Sequence, residues 1–347
     1  MRILVIGGTN FIGPHVVRRL AQQGHELTLF HRGPLVADAP KGRFARGAEH
    51  PDLPEGVEQI SGDRERLAKY ADMLRSVSPE VVLDMIPEND DNARAVQDVF
   101  RGVARRVVAI SSQDVYRAYG RLLRAEPGLP DPVPLTEDAP LRERMYVLAG
   151  RFEGAERYEK ILAERVYLSD ATLPGTVLRL PAVYGPGDHQ HRVFEYLKRM
   201  DDGRKVIVLE ESLAGWRWTR GYVDNVADAV ALAIADDRAA GRVYNVGEPD
   251  TLTQAEWVRA IGAAADWQGE VVVMPTEQLP EGMRFDGDSA QSFWTDSSRI
   301  RRELGYAERI PRDEALRRTV TWERAHPPTT FDAAQYDYAA EDAALAP

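Results

Sequence analysis

The chain has 347 residues, 44% of them hydrophobic and 29% charged, enough for one large α/β unit or two domains of an ordinary globular protein. A net charge of −11 argues against a general nucleic-acid or anionic-membrane surface. The absence of Cys excludes disulfides, thiol nucleophiles and cysteine-bound metals. There is no apolar run of membrane-spanning length and no signal-peptide pattern, so a cytoplasmic location is expected.

Arg2 to Ile6 is a short apolar run of strand length, followed by Gly7, Gly8 and Gly13 in the spacing G-G-x-x-x-x-G. Ile12, Val16 and Leu20 then recur at helical spacing. Strand, glycine turn and helix open a dinucleotide-binding βαβ unit. Gly7 permits the tight turn, Gly8 lets backbone N–H groups approach a pyrophosphate, and Gly13 lets the helix pack closely. Thr9, Asn10, Phe11 and Ile12 complete the turn, and the helix N-terminus offers donors to phosphate.

Leu27 to Phe30 is the second predicted strand. It ends in His31, Arg32 and Gly33, with no carboxylate for the ribose hydroxyls of NAD. Arg32 can pair instead with the 2′-phosphate of NADP, which is the favoured form, or be a plain surface arginine. Pro34 to Pro54 reads as a long loop. Val57 to Ile60 is a third strand, and Asp63 either caps the next helix or reaches the adenine amino group. Val81 to Leu83 is a fourth strand, followed by a helical stripe through Val96, Val99, Phe100 and Val103.

Arg106 to Ile110, the fifth strand, ends in Ser111-Ser112-Gln-Asp-Val-Tyr116. Hydroxyls at the carboxyl end of a parallel strand are placed for chemistry, or simply close a turn. Arg117 to Met145 is rich in proline, like a lid or binding loop. A helix is expected over about Phe152 to Leu168, and the sixth strand, Val177 to Leu180, runs into Pro181. His189 to Met200 reads as helix and Val206 to Leu209 as strand. Trp216 to Arg220 alternates aromatic and guanidinium groups, as a solvated strand face or a phosphate clamp would. Further helices are expected at Asp224–Ala235, after Thr253, at Ile300–Leu304 and at Asp313–Arg324, with strands at Val243–Val246 and Glu270–Val273. His189 and His191 form only an H-x-H pair, so no metal site is expected.

This alternation, with its strand-end glycines and serines, resembles the extended short-chain dehydrogenase/reductase superfamily, and within it the NAD-dependent epimerase/dehydratase group. The matching stretches are Gly7–Gly13, Ser111-Ser112-x-x-Val-Tyr116, Arg179-x-x-x-Val-Tyr-Gly-Pro-Gly187, Tyr222-Val-Asp-Asn-Val-Ala-Asp-Ala229, Tyr244-Asn-Val-Gly247 and Ser298-Arg-Ile-x-x-Glu-Leu-Gly305. The resemblance implies a Rossmann-type doubly wound parallel sheet over 1–180, with 220–248 returning to it. It also implies a smaller α/β substrate domain built from 181–219 and 249–326. Pro327 to Pro347 is expected as a mobile tail.

The implied activity is hydride transfer with NAD(P) on a nucleotide-sugar-like hydroxy or keto substrate, leading to epimerisation, elimination or reduction. The alternative is a catalytically atypical dinucleotide-binding protein, a cofactor sensor or an RNA-associated relative. No membrane partner is implied, nucleic acid is disfavoured by the acidic charge, and a homodimer is implied by the family habit alone. Ser112 aligns with the family's catalytic Ser, Pro181 with a cofactor contact, and Arg217 or Arg220 with its substrate-phosphate arginine. Ala182 stands where many members carry a substrate-binding Asn.

The family's base is a Tyr four residues before a Lys that lowers its pKa and holds the ribose. Lys160 fits that lysine, but Glu156 stands four residues before it, and the nearest tyrosine is Tyr158. On a regular helix Glu156, Lys160 and Glu164 share one stripe, while Tyr158 lies about 200° from Lys160. Three readings follow. Glu156 is the base, Tyr158 or Tyr146 reaches the site through an irregular helix start, or redox chemistry is lost.

Overall fold

The computed structural model describes residues 1–32, 53–279 and 283–346. Gly33 and nearly all of the Pro34–Pro54 loop lie outside the described residues. In chain order the strands are β1 (Arg2–Ile6), β2 (Glu26–His31), β3 (Glu58–Ser61), β4 (Val81–Asp84), β5 (Arg106–Ser112), β6 (Gly175–Leu180), β7 (Ala182–Tyr184), β8 (Val206–Glu210), β9 (Arg220–Tyr222), β10 (Val243–Asn245) and β11 (Glu270–Met274).

Seven of them form one parallel sheet in the order β10-β6-β5-β4-β1-β2-β3. The order reverses between β1 and β4, which places the crevice for a ligand above the carboxyl ends of those strands. The inner strands are apolar because helices cover both faces. Ile3, Val5, Val81, Leu83 and Val108 pack to one side, and Leu4, Ile6, Val82, Val107 and Ala109 to the other. The helix Val223–Ala235 packs on the first helix, Ile12–Gln22, and β10 joins the sheet edge beside β6. The two short parallel pairs, β8 with β11 and β7 with β9, lie outside the large sheet, and the helices Phe194–Asp201 and Arg312–Ala325 both pack on the helix Gln254–Ala264.

Three expectations are corrected. The helix of the Val96 stripe spans Asp90–Phe100, and Val103 lies beyond it, exposed, after Gly102 takes the left-handed conformation (φ 78°). The helix expected from His189 begins only at Phe194. The carboxyl-terminal segment is packed rather than loose. A helix spans Tyr338–Leu345, and its Glu341 is buried against Arg199 at 2.9 Å. Aromatic and acidic residues in an otherwise alanine-rich stretch supply these contacts.

Candidate active site

The glycine turn has the geometry of a phosphate cradle. Gly7 and Gly8 sit at φ 92° and 86°, where a side chain is strained. Gly7 donates its N–H to the Phe30 carbonyl at 2.9 Å, so its turn is tied to the end of β2. A Cβ on Gly13 would lie 2.5 Å from Gly8 Cα, so only glycine lets the first helix start this close to the turn. Thr9, Asn10, Phe11 and Ile12 are half-buried around it. The residues fit a dinucleotide pyrophosphate, held by backbone N–H groups at a helix N-terminus.

The second contact region is mixed. His31 is buried, with its Nε2 3.0 Å from Gln59 Oε1. Arg32 is exposed just beyond it. Asp63 caps the turn of helix Arg64–Tyr70 by accepting from Glu65 N–H at 3.0 Å, which is the capping alternative.

The Lys160 helix starts later than its periodicity suggests. That helix spans Lys160–Ser169 only, not Phe152–Leu168. Gly154 takes a left-handed conformation (φ 83°), Ala155–Arg157 form a single 3-10 turn, and Tyr158 and Glu159 are extended. Glu159 is the reason. Its carboxylate caps Ile161 N–H at 3.1 Å and forms a fully buried ion pair with Arg142 at 3.0 Å. It also accepts Tyr146 N–H at 2.9 Å. A buried, capping carboxylate at this position stops the helix from extending back to Tyr158.

The stripe of Glu156, Lys160 and Glu164 is therefore not formed. Glu156 is exposed on the 3-10 turn. Glu164 is buried and taken by Arg179 at 2.8 Å and by the Ser111 hydroxyl at 2.5 Å. Tyr146 is 42% exposed. Tyr158, by contrast, is buried and aims its hydroxyl at Asp114 Oδ2, 3.1 Å away. Lys160 Nζ lies 5.7 Å from the Tyr158 ring centroid and donates to the Ile110 carbonyl at 3.0 Å. Burial lowers the Lys160 pKa from its ordinary value.

Asp114 ties these groups together. Its N–H donates to Ser112 Oγ at 3.2 Å, and its carboxylate receives the Tyr158 hydroxyl. Ser112 pairs with Leu180 across β5 and β6, so Pro181 follows directly beside it. Sequence reasoning passed over Asp114 and Glu159. The signal for Asp114 was its place in the strand-end Ser-Ser-Gln-Asp stretch. Glu159 had only its position immediately ahead of a helix.

Behind the site, Arg179 binds Glu164 and donates to the Tyr116 hydroxyl at 3.0 Å, and Tyr116 donates to Asn245 Oδ1 at 2.7 Å. Burial pushes the Tyr116 phenol up to about 12, so it stays protonated. This network fixes the ends of β5, β6 and β10 relative to one another.

A cavity of about 580 Å³ opens between β8 and the helices Phe194–Asp201 and Gln254–Ala264. Ala182, two residues past the partner of Ser112, lines it, with Tyr184, Trp216, Trp218, Trp257 and Arg220. The Arg220 guanidinium stacks 4.2 Å from the Trp257 ring centroid and bonds Gln254 Oε1 at 2.6 Å. Burial lowers its pKa to about 10, which leaves it cationic at neutral pH. Arg217 does not line this cavity. It is 40% exposed, bonded to the Thr251 carbonyl and 3.9 Å from Glu256. The two arginines of the Trp216–Arg220 stretch thus separate, and only Arg220 joins Trp216 and Trp218 in the cavity wall. Among the described residues no cluster of three or more His, Asp or Glu is placed to hold a metal, and no helix is long and apolar enough to cross a membrane.

The family model for the NAD dependent epimerase/dehydratase family matches residues 3–247. The chain is 28% identical over 346 residues to a dTDP-glucose 4,6-dehydratase of Streptomyces griseus, covering 93% of this chain and 94% of that one. It is 22% identical to a UDP-N-acetyl-alpha-D-glucosaminuronate decarboxylase of Bacillus cytotoxicus, covering 93% and 98%. Among solved structures, the dTDP-glucose 4,6-dehydratase of Bacillus anthracis in complex with NAD superposes with a TM-score of 0.68 at 17% identity, covering 94% and 97%. Glycine turn, strand order and family match agree: the chain belongs to the NAD-dependent epimerase/dehydratase family.

Proposed function

We propose that the protein is an NAD(P)-dependent enzyme that transfers a hydride to or from a hydroxyl- or keto-bearing carbon of a nucleotide sugar, as an epimerase, dehydratase or reductase. The observation that carries this reading is the Ser112–Asp114–Tyr158 cluster beside Lys160, at the carboxyl end of β5 between the glycine turn and the Arg220 cavity. The dinucleotide, when bound, supplies the hydride acceptor or donor. Gly7, Gly8 and Gly13 cradle its phosphates, and Lys160 holds its ribose.

In the oxidising direction Ser112 orients the substrate hydroxyl. Tyr158 takes its proton as its own passes to Asp114, so no charge is left on the substrate oxygen. In the reducing direction the proton returns by the same route. Arg220, cationic and desolvated on Trp257, binds the anionic part of the substrate. Arg32, in the sequence His31-Arg32-Gly33 that offers no carboxylate at the end of β2, supports NADP over NAD. The reading extends to a homodimer across the paired helices Asp90–Phe100 and Lys160–Ser169, which size-exclusion chromatography tests.

The deciding experiment is incubation of the purified protein with NAD or NADP and a panel of UDP- and dTDP-sugars, with product detection by mass spectrometry. Turnover of one sugar nucleotide is expected. Saturable dinucleotide binding with no turnover of any panel member would instead make this an atypical dinucleotide-binding protein.

A further inference from the structure

The carboxyl-terminal segment takes part in the same cavity. Gln335 lines it, together with Glu195, Tyr196 and Arg199 from one face of the helix Phe194–Asp201. The segment grips that helix at both of its cations, Lys198 and Arg199. Lys198 Nζ lies 5.3 Å from the ring centroids of both Phe331 and Tyr336. Arg199 stacks 4.9 Å from Tyr336, donates from Nε to Glu341 at 2.9 Å and from Nη2 to the Gln335 carbonyl at 2.6 Å. Its Nη1 goes to the Glu195 carbonyl at 2.9 Å. Beyond the helix, Arg204 stacks 4.9 Å from Tyr338 and pairs with Asp342, and the Tyr338 hydroxyl reaches Asp202 at 2.6 Å. Ala344 and Leu345 pack on Val208, Met274 and Leu279, and Val208 itself lines the cavity.

Charge explains the choice of partner. The helix and its following turn present Lys198, Arg199 and Arg204, and the segment brings Glu341 and Asp342 with three aromatic rings. The Glu341 carboxylate is 2% exposed and the Arg199 side chain 8%. Each is stable in that place only because the other is there. All three Arg199 nitrogens are already bonded, so it serves the cavity as a fixed wall, while Arg220 remains the cation offered to an anionic ligand.

We propose that the segment Phe331–Ala346 is a wall of the substrate cavity, in which Gln335 contacts the substrate and Glu341 is the positioning residue that fixes Arg199 and the cavity face of its helix. The inference rests on the cavity being the substrate site. It makes the carboxyl terminus a determinant of substrate affinity and leaves dinucleotide binding untouched.

The test compares the full-length protein with Glu341→Gln and Gln335→Ala variants and with a chain ending at Pro328. Hydrogen exchange by mass spectrometry reads the wall directly. Amides of 338–345 are expected to be protected in the parent, and Glu341→Gln is expected to speed exchange over 194–201 about tenfold. Acrylamide quenching of tryptophan, three of which line the cavity, is expected to rise in the same variant. NADPH affinity is expected to be unchanged in all three. For whichever nucleotide sugar is turned over, KM rises about tenfold at unchanged kcat in Glu341→Gln and Gln335→Ala.

Unprotected amides over 338–345 in the parent overturn the proposal. So do unchanged exchange over 194–201 and unchanged quenching in Glu341→Gln. Should UDP and dTDP both fail to bind the parent while exchange and quenching respond as expected, the wall stands and the nucleotide-sugar reading falls. The point variants carry the test if the shortened chain does not fold.

Discussion

Replacing Tyr158 by Phe removes one hydroxyl and leaves the ring in place. The hydroxyl donates to Asp114 Oδ2 at 3.1 Å inside the protein, where both residues are at most 6% exposed. A bond to a charged acceptor contributes about 1.5–3 kcal/mol, of which part is recovered by rearrangement of the carboxylate, so a stability loss of about 1–2 kcal/mol is expected. In a chain of 347 residues, whose unfolding entropy is about 0.7 kcal/mol per degree, that lowers Tm by about 1–3 °C. The catalytic loss is far larger. Without the group that carries the proton, kcat falls by about 10²–10⁴, which corresponds to about 3–5 kcal/mol of barrier. Dinucleotide affinity, set by the glycine turn some distance along the site, stays within about twofold. The assay follows nicotinamide absorbance on mixing enzyme, dinucleotide and the sugar nucleotide that the parent turns over, with Glu156→Gln beside it. Because Glu156 is exposed on the 3-10 turn, its variant keeps parental kcat. If Tyr158→Phe keeps parental kcat while Glu156→Gln loses it, the assignment drawn from the irregular helix start is refuted.

Gly13→Ala forces a Cβ to within 2.5 Å of Gly8 Cα, and dinucleotide binding measured by fluorescence titration is expected to be lost, with about 1–3 kcal/mol of stability. Arg220→Met is expected to abolish binding of the substrate's anionic end, read as a rise in KM, and Arg217→Met to leave KM unchanged; equal effects would mean that the cavity is not the site. Arg179→Leu strands the buried Glu164 carboxylate and is expected to cost about 3–5 kcal/mol in urea unfolding. Burial lowers the Lys160 pKa below the ordinary 10.5. Between that lowered value and 10.5 the unfolded chain binds more protons at this residue than the folded one, so its contribution to stability rises with pH. The stability of the parent minus that of Lys160→Met is thus expected to grow with pH across the window and level off above 10.5, and a difference that shrinks with pH would contradict the burial.

The amino-acid sequence by itself determined the sheet and its cofactor turn. Apolar runs of strand length, glycines at fixed spacing and helical stripes are local patterns, and β1 to β6, the first helix and the Gly7–Gly13 turn follow from them with ends shifted by a residue or two. The helix after Thr253 and the short helix Ile300–Leu304 before Gly305 were legible for the same reason, and the structure adds the capping box at Thr253 and the left-handed Gly305 that bound them.

What only the tertiary structure decided depends on partners far apart in the chain. Helix periodicity alone places Glu156 beside Lys160. It is Arg142, seventeen residues before Glu159, that buries the Glu159 carboxylate, ends the helix and turns Tyr158 towards Asp114. Arg217 and Arg220 look alike in the sequence, and Trp257 and Gln254 from another helix select the second. The carboxyl-terminal stretch looks too polar to pack until Lys198, Arg199 and Arg204 meet its acids and rings. A buried ion pair depends on the charge that the fold brings opposite it, and spacing along the chain carries no record of that.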